Sequence, residues 1–328
     1  MDNKLETLVY ITGSGRSGST LLDMLLSTHP DVAALGEVHR FSMNIGREEA
    51  AYRCTCGKTL ESCEFWCAVI DRLKFECVNP YDLKTTWKTN EGIGLNSDQT
   101  NIIELVPPTS FIKNRINWFN LFLSFQLPKI ISFLAPVIQN FREGIEITKN
   151  SWFLYKKICE VNNKKIIIDG TKTPGRLMAL MRFNPERVPI KVLYLCRDGR
   201  AVAHARMKRQ GLSMRSAVKI WVIEHKKISI ALRRFAGDIH YVKYEDLCVN
   251  TGDTLQEIFT HIGADGLCDN KSFRDSSHSL GGNPMRLRSS EREIVLNEQW
   301  KDELSQEELG CFESIGGGVN VKLGYGRR

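Results

Sequence analysis

LVYITGSGRSGSTLLDMLL, residues 8–26, is the stretch whose reading decides the fold. Leu8-Val9-Tyr10-Ile11 is a short continuous apolar run, the pattern of a buried strand. A Gly/Ser-rich turn follows, and then Leu21, Leu22, Leu25 and Leu26 recur on one helical stripe. The order is strand, loop, helix. In the loop from Gly13 to Thr20, glycines let the backbone turn so that successive N–H groups face one oxyanion. The helix that follows adds the positive end of its dipole. Ser17, Ser19 and Thr20 add hydroxyl donors.

Gly13 and Gly18 fit the glycines of the GxxxxGK(S/T) nucleotide loop, but Ser19 stands where that pattern has lysine. The lysine normally reaches the β- and γ-phosphates of a triphosphate. Its absence argues against triphosphate chemistry, while Arg16, three positions earlier, suits a shorter anionic group. A P-loop kinase with a degenerate loop and a catalytically inactive nucleotide-binding protein remain the competing readings.

Further along, Ile166–Ile168 is a second buried strand, closed by Asp169-Gly170. Val192–Leu195 is a third, closed by Cys196-Arg197-Asp198, and Tyr241–Tyr244 a fourth. Helical patterns cover about 176–182, 200–209 and 213–234, and one starts near Thr254 and stops at Gly263. Short apolar strands alternating with helices predict an α/β fold: three layers, with a central parallel sheet flanked by helices and a P-loop-like turn. Ligands of such sheets bind beyond the carboxyl ends of the strands. One domain is expected over residues 1–328.

Residues 92–152 break the pattern. They hold no clear strand, carry Trp118-Phe119 and Leu121-Phe122-Leu123, and are interrupted by four prolines. An inserted, mostly helical lid is expected there. It is either a cap packed on its own core or an interfacial surface that receives a lipid-like acceptor and touches a membrane peripherally.

The net charge of +7 over 328 residues is a mild excess that suits an anionic ligand, and the scattered Lys and Arg residues do not form a nucleic-acid stripe. The acidic, polar N-terminus is unlike a secretory signal, and no run of about 18 apolar residues is present. A cytoplasmic location is expected. Oligomeric state is not legible.

The loop and helix GSGRSGSTLLDMLLSTHPDV resemble the 5′-phosphosulfate loop of sulfotransferases that use 3′-phosphoadenosine-5′-phosphosulfate (PAPS), especially the tyrosylprotein branch. CRDGRAVAHARMKR is similar to that family's 3′-phosphate motif, YVKYEDL to its Tyr-Glu segment, and HSLGGNPMR followed by Trp300 to its cofactor-covering segment. The four motifs stand in the family's order, and the lid lies outside the resemblance. The resemblance implies transfer of a sulfuryl group from PAPS to a hydroxyl, releasing PAP, by in-line displacement. The acceptor, whether glycan, lipid-like, small-molecule or peptide, is not implied.

Residue by residue, the resemblance places Gly15, Arg16, Ser17, Gly18, Ser19 and Thr20 around the 5′-phosphosulfate. It places Arg197 and Arg209 at the 3′-phosphate, Tyr244 near the nucleotide, and Asn283 and Arg286 in the covering segment. Arg197 also reads physically: a guanidinium fork at a strand's carboxyl end suits a phosphate monoester. Where the family has serine eight residues after that arginine, this chain has Ala205, which leaves the 3′-phosphate to Arg197, Arg209 and His204. Arg200 and Arg206 read as solvated helix charges.

The acceptor hydroxyl must lose a proton, and Glu37 in LGEVHR is the expected base, with Arg40 as its partner and His39 as the alternative. In the tyrosylprotein enzymes the base falls one position later, where this chain has Val38. Lys172 in DGTKTP is expected, with Arg16, to neutralise charge on the leaving group. No metal is required, because the donor has no β,γ-phosphate bridge.

Six of the ten cysteines (77, 159, 196, 248, 268 and 311) read as dispersed, buried apolar residues. Cys54, Cys56, Cys63 and Cys67 cluster. Four thiolates suit tetrahedral zinc, yet the usual C-x₂-C spacing is absent. Zinc, a disulfide and packed thiols all remain open.

Overall fold

The computed structural model describes residues 4–86, 139–264, 273–287 and 293–326. Five parallel strands form one sheet: β1 (Thr7–Gly13), β2 (Val32–Ala34), β3 (Ile166–Lys172), β4 (Ile190–Cys196) and β5 (Ile239–Lys243), in the order β2-β3-β1-β4-β5. This is the expected α/β arrangement of a parallel sheet between helical layers.

β1 is central because it is apolar on both faces. Leu8 and Tyr10 enter one core, which holds Trp66, Trp152, Tyr155 and Ile158. Val9 and Ile11 enter the other, with Leu22, Leu25, Leu255 and Phe259. Burying each such aliphatic side chain is worth about 1.5–3 kcal/mol. A third cluster lies among α6 (Gly199–Gln210), α7 (Met214–Leu232) and α11 (Gln306–Lys322), around Val202, Trp221 and Phe312.

Several boundaries differ from the sequence reading. β2 was not predicted: it is only three residues long and rich in alanine, and its register against Ile166, Ile167 and Ile168 makes it a strand. Asp169-Gly170 does not close β3. The strand continues to Lys172, because Thr12 of β1 pairs with Lys172 across a register shift. Tyr244 lies beyond β5 and opens the short helix α8 (Tyr244–Val249). Helix α9 (Thr251–Ile262) ends at the expected glycine, Gly263, with φ 80°. Of the six dispersed cysteines expected to be buried, Cys159 and Cys196 are buried, Cys248 and Cys311 are half-buried, Cys77 is exposed just past α3 (Glu64–Phe75) with φ 60°, and Cys268 lies outside the described residues.

Much of the expected lid, residues 92–138, lies outside the described residues. Helix α4 (Gln139–Asn162) runs through the expected end of the insert at residue 152. Its Trp152, Tyr155 and Ile158 are buried in the same core as the sheet. No helix among the described residues is long and apolar enough to cross a membrane.

Candidate active site

The loop after β1 sits between the ends of β3 and β4, the neighbours of β1 on either side. Lys172 ends β3, and Arg197 follows β4 directly. Three segments far apart in sequence therefore meet at one sheet edge. Arg16 (φ 74°) and Gly18 (φ 91°) take left-handed backbone conformations that turn the chain into α1 (Ser19–Leu26). No side chain caps that helix, and no acidic residue lies in its first turn. An uncapped helix N-terminus facing a Gly-rich turn favours an anion.

Gly18 has a second reason to be glycine. A Cβ there would run into the Tyr244 ring. That buried ring also lies 4.3 Å below the Arg197 guanidinium. Arg197 donates to the carbonyls of Arg16 and Asn297, at 3.1 Å each. Arg197 Nε and Ser17 Oγ are buried without a hydrogen-bond partner among the described residues. Buried polar atoms with no partner cost about 1–3 kcal/mol each, so both are donors suited to an anionic ligand.

Arg200 and Arg206 are not solvated helix charges, as expected from sequence, because α6 is covered by α7 and α11 and both side chains are buried. Arg200 folds onto Asp198, its Nη2 2.6 Å from Oδ2. Arg206 donates to Glu224 at 2.6 Å and to Ser14 Oγ at 3.2 Å, bracing the loop after β1 from behind. Burial, followed by the charges of Arg209 and Arg206, lowers the pKa of Arg16. Arg209 is thus near the loop, although exposed. His204 is buried, and its Nε2 lies 3.0 Å from Glu303.

On the other flank, Lys172 Nζ donates to Ser19 Oγ at 3.1 Å and to Glu37 Oε1 at 3.3 Å. A lysine from β3 reaches the loop that lacks its own. Arg40 Nε pairs with Glu37 Oε2 at 3.0 Å, the expected partnership. Burial alone would raise the Glu37 pKa, but Lys172 and then Arg40 outweigh it and hold the carboxyl at about 2. His39 turns toward Thr171, with Nδ1 3.2 Å from Oγ1, and burial and Arg176 lower its pKa to about 4. Of the two candidate bases, Glu37 is the one in contact with Lys172.

The Gly/Pro-rich segment around 278–286 closes over this flank. Leu280 pairs with Gly36, and Glu37 N donates to the Leu280 carbonyl at 2.7 Å. A Cβ on Gly281 would stand 2.7 Å from Glu37 Oε2, and one on Gly282 2.7 Å from Thr20 Oγ1. Asn283 contributes its backbone N–H to Thr20 Oγ1 at 3.0 Å, while its side chain accepts from Met285 N. Arg286 faces elsewhere: it is buried and donates to the carbonyls of Arg53 and Ala51, at 2.7 and 3.2 Å.

Sequence reasoning missed the layer beneath. Asp169 is fully buried, accepting from Arg176 Nε (2.8 Å), the Tyr155 hydroxyl (2.6 Å) and Thr171 N (2.9 Å). Asp23 accepts from Gly36 N at 2.9 Å and from the Ser279 hydroxyl, and burial raises its pKa to about 6 despite those bonds. These carboxylates fix the segments that carry Lys172 and Glu37. Only a charge placed within an apolar pattern could have flagged them. The expected four-cysteine cluster is also revised: Cys54, Cys56 and Cys63 converge with His278, while Cys67 turns to Asp71. All four cysteines are free thiols in the structure.

Residues 9–68 match the family model described as the sulfotransferase family. That span runs from β1 through the Gly-rich loop and Glu37 to the cysteine segment. No curated protein matches the chain. Solved structures similar to it include the sulfotransferase domain of the Synechococcus PCC 7002 olefin synthase, at 16% identity and a TM-score of 0.47, covering 95% of each chain. The sulfotransferase domain of the curacin biosynthetic pathway shows 14% identity and a TM-score of 0.48, covering 99% of this chain and 100% of that one. Sulfotransferase STF9 from Mycobacterium avium shows 14% identity and a TM-score of 0.44, covering 94% of this chain and 76% of its own.

Proposed function

From the match of residues 9–68 to the sulfotransferase family model, we propose that this protein transfers a sulfuryl group from PAPS to the hydroxyl of an acceptor. The observation that carries the reading is Lys172 Nζ, held between Ser19 Oγ at 3.1 Å and Glu37 Oε1 at 3.3 Å. It joins the phosphate loop to a carboxylate within one ammonium's reach.

The donor supplies the activated S–O bond. Ser17, Ser19, Thr20 and the N–H groups of the loop from Gly15 to Thr20 hold its 5′-phosphosulfate. Arg197, stacked on Tyr244, and Arg209 hold its 3′-phosphate, and Asn283 orders the segment that covers it. Buried donors without partners, an uncapped helix and a loop crowded with guanidinium charge all favour such a dianionic ligand.

In the transfer step, the acceptor oxygen bonds to sulfur as the bond from sulfur to the 5′-phosphate oxygen breaks. Glu37 takes the acceptor's proton. Lys172, Arg16 and the loop N–H groups take up the charge on the departing oxygen. Paired with Lys172, Glu37 is a weak base. When Lys172 turns toward the departing oxygen, Glu37 loses its strongest cation and gains basicity as the proton is released. Positioning and charge stabilisation supply the catalysis, and none of these steps calls on a metal ion.

The test is incubation with ³⁵S-labelled PAPS and a panel of hydroxylated glycans, lipids, small molecules and peptides. Labelled product is expected, and its loss in both Lys172→Ala and Glu37→Gln. Full turnover in both variants overturns the roles. Thermal stabilisation by Mg·ATP but not by PAP overturns the donor and favours the kinase reading.

A further inference from the structure

Cys54, Cys56, Cys63 and His278 bring their ligand atoms within 4.8 Å of one another. They come from a turn, from the residue before α3, and from the covering segment more than 200 residues later. Cys54 Sγ lies 3.6 Å from Cys63 Sγ and 3.6 Å from His278 Nδ1, and Cys63 Sγ lies 3.3 Å from that nitrogen. A tetrahedral zinc ion with Zn–S near 2.3 Å and Zn–N near 2.05 Å requires S···S edges of ~3.8 Å and S···N edges of ~3.6 Å. These three edges, 3.6, 3.6 and 3.3 Å, lie close to those of that tetrahedron. A disulfide does not: sulfur atoms 3.6 Å apart are far beyond the ~2.05 Å bond.

The surroundings are built to hold this geometry. Gly57, with φ 83°, turns the chain after Cys56, and Cys54 N donates to the Lys58 carbonyl at 3.0 Å, closing that turn. The His278 ring stacks on Phe65, centroids 5.1 Å apart and planes 9° from parallel. Its carbonyl accepts from Trp66 Nε1 at 2.7 Å. Ring rotation and backbone are both fixed, so Nδ1 points at the sulfurs. Cys54 and Cys63 are buried, and Cys56 closes the solvent side. Packed thiols alone do not account for an imidazole nitrogen aimed into three of them.

We propose that Cys54, Cys56, Cys63 and His278 bind one structural zinc ion, which clamps the covering segment to the body of the protein. Three thiols lose their protons to the solvent as three Zn–S bonds form, and neutral His278 supplies the fourth ligand through Nδ1. The clamp sits next to the candidate active site without entering it. Thr55, between two ligands, donates to the Ser279 carbonyl through N at 3.2 Å and Oγ1 at 2.9 Å. Ser279 leads directly to Gly281 and Gly282, which lie against Glu37 and Thr20. The zinc thus holds the strand-like stretch on which the covering segment depends. The site stands whether or not the chain transfers sulfate.

The experiment uses the full chain purified under reducing conditions without chelator. Elemental analysis is expected to give about one zinc per chain. Co²⁺ added to chelator-stripped protein is expected to give the intense visible bands of a tetrahedral, thiolate-ligated ion. Cys56→Ser, at the exposed corner, is expected to release most of the zinc and weaken the Co²⁺ bands, while Cys67→Ser retains both. Hydrogen exchange over residues 279–286 is expected to speed up when zinc is stripped. Zinc-free protein that also gives no thiolate–Co²⁺ bands overturns the proposal. So does equal zinc content in Cys56→Ser and Cys67→Ser, or a mass two units low from a disulfide.

Discussion

Glu37 Oε1 stands 3.3 Å from the Lys172 ammonium, and that pairing dominates the electrostatics of this corner of the sheet. Burial would push the carboxyl up; Lys172 and Arg40 bring it to about 2, from an ordinary 4.5. A carboxylate with a lowered native pKa stabilises the fold above its unfolded pKa, and that contribution is lost as pH falls through the native one. Glu37→Gln is therefore expected to differ from the parent in urea midpoint at pH 6, with the difference narrowing between pH 4.5 and about 2. Urea unfolding across that range checks it.

Gly18→Ala is expected to damage both stability and donor binding. Its φ of 91° is costly for any residue with a Cβ, and that Cβ would collide with Tyr244. Displacing the ring also removes the support under Arg197. A loss of about 1–3 kcal/mol is expected from the backbone term alone. Thermal unfolding with and without PAP reads both effects, and an unchanged PAP shift would separate the loop from the ligand.

Ala205→Ser would add the hydroxyl that the sulfotransferase resemblance leads one to expect eight residues after Arg197. Ala205 lies on α6, in the motif that Arg197 opens. One added hydrogen bond of about 0.5–1.5 kcal/mol corresponds to a gain of up to about tenfold in PAP affinity. Calorimetry should show that gain for PAP and none for AMP, which lacks the 3′-phosphate.

Arg176→Met tests the buried layer. Asp169 is fully enclosed, and Arg176 is its charged partner at 2.8 Å. Removing one member of a buried ion pair costs about 3–5 kcal/mol, because the other charge is left unpaired. Combining Arg176→Met with Asp169→Leu is expected to recover much of that loss in chemical denaturation, since neither member of the pair is then left as an unpaired buried charge.

Three of the strands whose carboxyl ends meet at the candidate site were legible because each begins with a run of apolar residues, Leu8–Ile11, Ile166–Ile168 and Val192–Leu195. What local pattern could not reveal was how charges pair across the sequence. Arg206 reads as a surface helix residue until Glu224 and Ser14 are brought to it, and Asp169 reads as a turn residue until β3 runs past it. β2 has too few residues for periodicity. Helix α11 was absent from the sequence reading, and its capping box of Ser305 and Glu308 appears only in the structure. Its glycine triplet at 316–318 blurs the helical pattern. His278 could not be joined to the cysteines from spacing, since 215 residues separate it from Cys63.

The position of β1 between β3 and β4 also sets a timetable for synthesis. Gly13 leaves the ribosome long before β3 and β4, the neighbours of β1 that lead to Lys172 and Arg197, exist. At ~5–20 residues per second, that interval is roughly 10–40 s. Throughout it, the nascent chain carries Leu8–Ile11 with neither neighbour to pair with, so this buried segment depends on the emerging helices or on chaperones to keep it from other chains.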